Sequence, residues 1–180
     1  MKKMFILAAI AAAMMVTMPA LAQKDYQEVA VDDPCPYETY PSTAELLRGH
    51  GVGIDRNQQF SVEKARTHAI TDLVSQVATT VDAVMQMTDE SWDTNNESNY
   101  AGHALQEIKT AVSQTTGYNI VCRETVTFTQ NGARMMKTYI VVELGTEKAA
   151  KTVYETLSND PKVQIDQSYE EFEKLFNSQF

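Results

Sequence analysis

The stretch GHGVGIDRNQQFSVEKARTHAITDLVSQV, residues 49–77, decides the fold. It begins with three alternating glycines, which share one face if the chain is extended as a strand: Gly49, Gly51 and Gly53. Apolar residues then recur at spacings of three and four, which predicts a helix: Val62, Ala65, Ala69, Leu73, Val77, Val81 and Val84. A strand face without side chains lets another element approach closely. We therefore expect Gly51 to contact the helix near Ala65 or Ala69.

The glycines do not fit a nucleotide-binding loop. Counting from Gly49, the position that the G-x-G-x-x-G fingerprint reserves for its third glycine is Ile54, and the Gly-Lys-Ser/Thr of a P-loop is absent. Ser61 and Lys64 match the S-x-x-K of acyl-serine enzymes, but the accompanying S-D-N and K-T-G motifs are missing. We therefore expect Ser61 to be the N-cap of the helix.

The other polar residues fall into no catalytic or metal-binding spacing. Asp93, Asn95 and Glu97 match the first positions of a calcium loop, but Ser98 stands where that loop needs glycine. The histidines lie in no H-E-x-x-H motif and at no zinc-like spacing from a cysteine: His50, His68 and His103. We therefore predict no catalytic residue, no cofactor and no metal ion.

The N-terminus predicts export. Two lysines, an apolar run and the sequence Ala20-Leu21-Ala22 are typical of a signal peptide over residues 1–22, cleaved before Gln23. A retained anchor is the alternative. The chain has a formal charge of -9, and loss of a signal with lysines and no acids makes it more negative. Such a surface disfavours nucleic acid, and the mature chain has no segment apolar enough to span a membrane. We expect a periplasmic or extracellular bacterial protein.

The chain has two cysteines, Cys35 and Cys122. In an exported protein an even pair predicts one disulfide. This bond would tie an extended, proline-containing arm, residues 23–45, to the rest of the domain. The alternative is two free thiols, with Cys122 as a nucleophile beside His50 or His68.

Two β-rich runs flank Asn131-Gly132 and predict a hairpin. A two-residue turn would mix apolar and polar faces, so we expect a three-residue loop with Gly132 as a bulge glycine of positive φ. This register predicts three cross-strand pairs: Ile120 with Val142, Cys122 with Ile140, and Val126 with Met136.

The remaining segments predict shorter elements. Residues 88–102 are polar and predict a loop, and helices are expected around Leu105–Val112 and Thr146–Ser158. Ser168 and Glu171 form a capping box for a last helix. Together these elements predict an α+β domain over residues 46–160, with a three-stranded antiparallel sheet covered by the Val62–Met85 helix.

The last helix lies in a C-terminal amphipathic segment, residues 161–180. It carries an apolar stripe that is a candidate contact surface: Tyr169, Phe172, Leu175 and Phe176. The alternative is that this stripe packs back on its own domain.

The glycine strand, the alanine-bearing helix and the later stretches TGYNIVCRE and KTYIVVEL carry a family resemblance over Leu46–Leu157. The pattern resembles the envelope lipoproteins of the twenty-kilodalton LPP family and the N-terminal domain of flagellar assembly protein T. The lipoproteins carry an acylated cysteine at the mature N-terminus, where this chain has Gln23. The resemblance implies an α+β envelope accessory or assembly module and supplies no catalytic residue.

We therefore expect a non-catalytic envelope protein that works by contact with other envelope proteins or with itself. The alternative is a periplasmic small-ligand carrier or a cryptic hydrolase. A deep pocket that holds two or more members of one polar set would favour this alternative: His50, His68, His103 and Glu124.

Overall fold

The computed structural model of the chain describes residues 33–87, 92–93, 100–160, 164–165 and 167–180. The elements are β1 (Leu46–Asp55), α1 (Gln58–Met87), β2 (Trp92–Asp93), α2 (Tyr100–Gln114), β3 (Asn119–Gln130), β4 (Ala133–Gly145), α3 (Thr146–Ser158), β5 (Gln164–Ile165) and α4 (Tyr169–Asn177). The predicted signal peptide, residues 1–22, and the start of the predicted arm, residues 23–32, lie outside the described residues.

The architecture is the predicted α+β fold. The three long strands form an antiparallel sheet in the order β1-β4-β3, and the short β2 and β5 pair separately. The first strand therefore pairs with the second strand of the hairpin. The sequence alone did not predict which of the two hairpin strands it would join. The main core unites the sheet with α1, α2, α3 and α4. Because β4 is central, β1 and β3 are the two edges of the sheet.

The glycine face of β1 lies directly on the backbone of α1. A Cβ built on Gly51 would lie 2.1 Å from the carbonyl oxygen of Ala65 and 2.3 Å from the nitrogen of Ala69. A Cβ on Gly49 or Gly53 would also lie 2.1 Å from a carbonyl oxygen of α1. The predicted close approach is confirmed, and it explains why no side chain is tolerated on this face.

α1 begins one turn earlier than predicted. Asn57 caps it, since its Oδ1 accepts a hydrogen bond from the backbone N–H of Gln59 at 2.8 Å. Ser61 is fully buried inside the helix, and its hydroxyl lies 2.7 Å from the hydroxyl of Thr138 on β4. The predicted capping role of Ser61 is wrong, because this buried hydroxyl instead forms a hydrogen bond between helix and sheet.

The hairpin closes with a two-residue turn. Gln130 pairs with Ala133, and the intervening Asn131 and Gly132 have φ of 53° and 77°. Positive φ at both central positions is what a type I′ turn requires. The positive φ of Gly132 is confirmed, but its predicted place in a three-residue loop with a bulge is wrong.

The shorter turn shifts most of the hairpin by one residue. Two predicted pairs are wrong: Cys122 lies opposite Val141 rather than Ile140, and Val126 lies opposite Lys137 rather than Met136. A bulge between Ile120 and Cys122 then shifts the register back, so that Ile120 pairs with Val142 as predicted. The pattern argument failed because it allowed for no bulge within β3.

The observed register decides which face holds the disulfide. Cys122 lies with Val141 and Tyr139 on the face of the sheet turned away from α1, which we call the outer face. The arm packs on this face, and the predicted bond between Cys35 and Cys122 is present, with the two Cα atoms 5.9 Å apart. Cys35 is 2% exposed, so the bond belongs to a small second core.

Candidate functional site

The edge formed by β1 is covered by side chains of α1. Four polar residues at four-residue spacing form one stripe of the helix, here called the α1 stripe: Lys64, His68, Asp72 and Gln76. Asp72 Oδ2 accepts a hydrogen bond from the backbone N–H of His50 at 2.9 Å. Gln76 Nε2 donates to the carbonyl oxygen of Arg48, also at 2.9 Å. These backbone groups point away from β4 and would otherwise be open to another strand.

The cover continues along the strand in both directions. His68 Nδ1 lies 2.7 Å from the carbonyl oxygen of Val52, so this nitrogen carries the proton. Lys64 Nζ donates to the carbonyl oxygen of Ile54 at 3.4 Å. At the other end, the hydroxyl of Ser42 in the arm accepts from the backbone N–H of Arg48 at 2.9 Å. Side-chain hydrogen bonds therefore cover β1 at positions spread from Arg48 to Ile54, and we call β1 the closed edge.

The edge formed by β3 has no such cover in the part of the chain that the structure describes. No hydrogen bond from outside the hairpin reaches the backbone between Arg123 and Thr129 within the described ranges. Arg123 and Thr127 point to the α1 side of the sheet, and both are exposed because α1 lies over β1 and β4. An uncovered strand presents a row of N–H and C=O groups that can pair with another strand.

The open edge also projects beyond the rest of the sheet. β1 ends where Asp55 pairs with Met136, which also pairs with Thr127, so residues 128–135 of the hairpin form a two-stranded ribbon without a third strand. The segment Thr125–Thr129, here called the edge segment, carries no charge and consists of β-branched and aromatic residues. Thr127 and Thr129 are exposed. Uncharged sequence and an open edge coincide at this segment, and its last two residues, Phe128 and Thr129, project beyond the end of β1.

His50 is engaged by the arm. Its ring lies 4.8 Å from the ring of Tyr37, and its Nε2 lies 2.9 Å from the carbonyl oxygen of Tyr40. The neighbouring Arg48 and Glu143 form an ion pair at 2.9 Å on the same outer face. This histidine therefore holds the arm in place.

The described residues do not form the deep pocket with two or more of the four polar side chains that would favour a carrier or hydrolase. His50 binds the arm, His68 binds the β1 backbone, and Glu124 is exposed on β3. His103 alone of the four lines the described cavity, a groove of about 270 Å³ along α2 whose other lining residues are Gln106, Glu107, Thr110, Ala111 and Gln114. The alternative of Cys122 as a nucleophile beside a histidine does not hold, because Cys122 is in the predicted disulfide.

One group of potential metal ligands was missed by the sequence. His103, Glu107 and Asp160 bring one ligand atom each to within 4.8 Å of one another. One imidazole nitrogen and two carboxylate oxygens could hold a divalent cation. The spacing of His103 and Glu107, one helical turn apart, is visible in the sequence. The approach of Asp160 depends on how α3 packs on α2 and is not. Of the predicted calcium-loop residues, Asn95 and Glu97 lie outside the described residues.

The shifted pKa values have structural causes. Burial raises the pKa of Tyr118 to about 12, and the hydroxyl donates to the carbonyl oxygen of Val112 in α2. Burial, reinforced by Glu173, raises the pKa of Tyr169 to about 12. The backbone N–H of Asn57 and the side chain of Lys64 lower the pKa of Asp55.

The apolar stripe of the last helix packs inward. Phe172 and Phe176 are 0% exposed and belong to the main core, and the ring of Phe172 lies 5.7 Å from that of Tyr154 on α3. Leu175 is partly buried against the same core, and Tyr169 contacts Tyr154 with ring centroids 5.5 Å apart. The predicted contact stripe is therefore not an exposed surface, because its aromatic rings fill the space beside α3.

No family model, curated protein or solved structure matches this chain. Among the helices within the described ranges, none has the length and apolar character to cross a membrane.

Proposed function

We propose that this chain is an exported accessory or assembly protein of the cell envelope that works through protein–protein contacts. The observation that carries the proposal is the contrast between the two sheet edges. Side chains of α1 bind the backbone of one edge, and the other edge has no such cover from Arg123 to Thr129 among the residues that the structure describes. A strand of a partner can extend the sheet at an open edge, with main-chain hydrogen bonds for affinity and side chains for specificity.

The compartment is supported by the disulfide. Bonds such as Cys35–Cys122 persist where the environment is oxidising, as in the periplasm or outside the cell. The resemblance to the LPP-type lipoproteins points in the same direction, towards envelope accessory proteins. The partner is another envelope protein or a second copy of the chain.

The proposal is tested by a photoreactive residue placed along each edge in turn. Substituted at Thr127 or Thr129, it would lie on the open edge, and at Val52 or Ile54 it would lie on exposed positions of the closed one. In intact cells we expect protein adducts from β3 and few from β1. A position on the exposed side of α1, Thr71, is the matched control. Equal adducts from both strands, or none from β3, would contradict the proposal.

The groove along α2 is the observation that favours a second function, that of a small-ligand carrier. Its volume of about 270 Å³ is just below the roughly 300–1,000 Å³ of typical ligand pockets. A carrier would retain its ligand during purification. Native mass spectrometry that found a tightly bound small molecule, removed by Thr110→Trp in the groove, would favour the carrier over the contact protein.

A further inference from the structure

We propose that the partner at the open edge is a second copy of this chain, paired antiparallel through the edge segment Thr125–Thr129. This inference rests on the proposed function and names its partner. The edge segment reads Thr-Val-Thr-Phe-Thr, which is nearly palindromic about Thr127. A two-fold axis through Thr127, perpendicular to the sheet, brings threonine opposite threonine and apolar opposite apolar on the second copy, because such an interface is self-complementary.

The resulting cross-strand pairs match in chemistry on both faces. On the α1 side, Thr127 faces Thr127 of the second copy, and Thr125 faces Thr129. On the outer face, Val126 faces Phe128. Threonine pairs and aromatic pairs with β-branched residues are the kinds that stabilise antiparallel strands. A register centred on Val126 is poorer, because it places the carboxylate of Glu124 opposite an aromatic ring.

The flanking residues fit the same register. Arg123 would face Asn131 of the second copy, and Glu124 would face Gln130, so no like charges oppose each other. The bulge between Ile120 and Cys122 and the disulfide both lie outside the paired segment. They limit the pairing to the part of the hairpin that follows Cys122.

The projection of the ribbon makes room for two bodies. Residues 128–135 extend past the end of β1, so antiparallel pairing centred on Thr127 places the helices of the two copies towards opposite ends of the joined sheet. The joined sheet would run β1-β4-β3-β3-β4-β1. Because each chain carries a formal charge of -9, the bodies repel, and we expect added salt to strengthen the dimer.

The test places a charge of either sign at the two-fold axis and measures dimerisation. Sedimentation equilibrium of the full disulfide-bonded protein should show a dimer that dissociates on dilution. Thr127→Lys and Thr127→Glu each place like charges directly opposite each other and should each weaken the dimer at least about tenfold. An equimolar mixture of the two variants should restore it as a heterodimer. The matched controls are Thr71→Lys and Thr71→Glu on the exposed side of α1, which should leave the dimer unchanged.

The outcomes distinguish self-pairing from contact with a different protein. Circular dichroism and an unchanged denaturation midpoint would show that the Thr127 variants are folded. A monomeric wild type, or a mixture that does not form heterodimers, would overturn the second copy as partner. If the crosslinker at Thr127 still captured a different protein, the contact function would stand without self-pairing. If it captured nothing, both would fail.

Discussion

The two edges of one sheet are treated in opposite ways in this molecule. β1 has glycines on its inner face and lies so close to α1 that the α1 stripe reaches past it to its outward backbone groups. β3 lies beyond the cover of α1 and keeps its backbone open from Arg123 to Thr129 within the described ranges. The close approach that the glycines allow is therefore also what closes this edge. Without it, polar side chains of α1 could not reach the backbone of β1.

The largest effect on stability is expected from a substitution on the glycine face of β1, which would separate β1 from α1. Gly51→Val places a Cβ about 2.1 Å from the carbonyl oxygen of Ala65, where neither backbone can give way. We expect a loss of about 3 kcal/mol or more in the free energy of unfolding, measured by urea denaturation. The control is Gly102→Ala in α2, where an added Cβ meets nothing within 4 Å and should stabilise by about 0.5–1 kcal/mol. A Gly51 variant as stable as wild type would mean that β1 is not held by close contact.

The second prediction concerns the tie between the arm and β3. Cys35→Ser combined with Cys122→Ser opens a loop of 87 residues and should cost about 2–4 kcal/mol. The expected loss is observed as a lower urea midpoint, and reductant should then have no further effect on the variant. A stability equal to that of the oxidised wild type would show that the arm packs on the outer face without need of the bond.

The third prediction sharpens the account of the closed edge. Asp72→Ala leaves the backbone N–H of His50 without its acceptor and should cost about 1.5–3 kcal/mol. Asp72→Asn keeps an oxygen at the same place and should cost less. Asp82→Ala, at an exposed position of the same helix, should change stability by no more than about 0.5 kcal/mol. Equal effects of Asp72→Ala and Asp82→Ala would show that the α1 stripe does not hold the edge.

The smallest effect is expected at alkaline pH, at the start of β3. The pKa of Tyr118 is raised to about 12 in the folded protein, from an ordinary value of 10.0, because burial disfavours the phenolate. Its contribution to stability is therefore complete below pH 10 and is lost as the pH rises through about 12. Thermal melting between pH 9 and 12 should fall less steeply for Tyr118→Phe. An identical slope would mean that this ring does not anchor β3 to α2. Tyr169→Phe, at a similarly shifted group, is the comparison variant.

The sequence predicted the structure correctly wherever the local pattern and the packing agreed. The alternating glycines and the spaced alanines predicted the contact of Gly51 with α1, which is confirmed. The capping box of Ser168 and Glu171 and the disulfide are also as predicted. These features are recognisable because each depends on residues whose chemistry allows few alternatives.

The candidate site could not be predicted because it depends on what lies beside each edge. Lys64 and Asp72 look like part of an ordinary solvated helix face, and their contact with β1 requires the close packing seen in three dimensions. The register of β3 depends on a bulge that the sequence pattern did not predict. The apolar stripe of α4 was ambiguous, since Phe172 could equally lie on a surface or in a core.

The most direct test of the two-edge account is residue-resolved amide hydrogen exchange on the native protein at low and high concentration. In dilute solution, the amides of Arg48 and His50 should be protected, while every second amide of Thr125–Thr129 exchanges at a rate close to that of an unfolded chain. At high concentration these β3 amides should become protected, and those of β1 should not change. The account would be contradicted if the outward amides of β3 were as protected in dilute solution as that of His50, or if β1 exchanged as fast as β3.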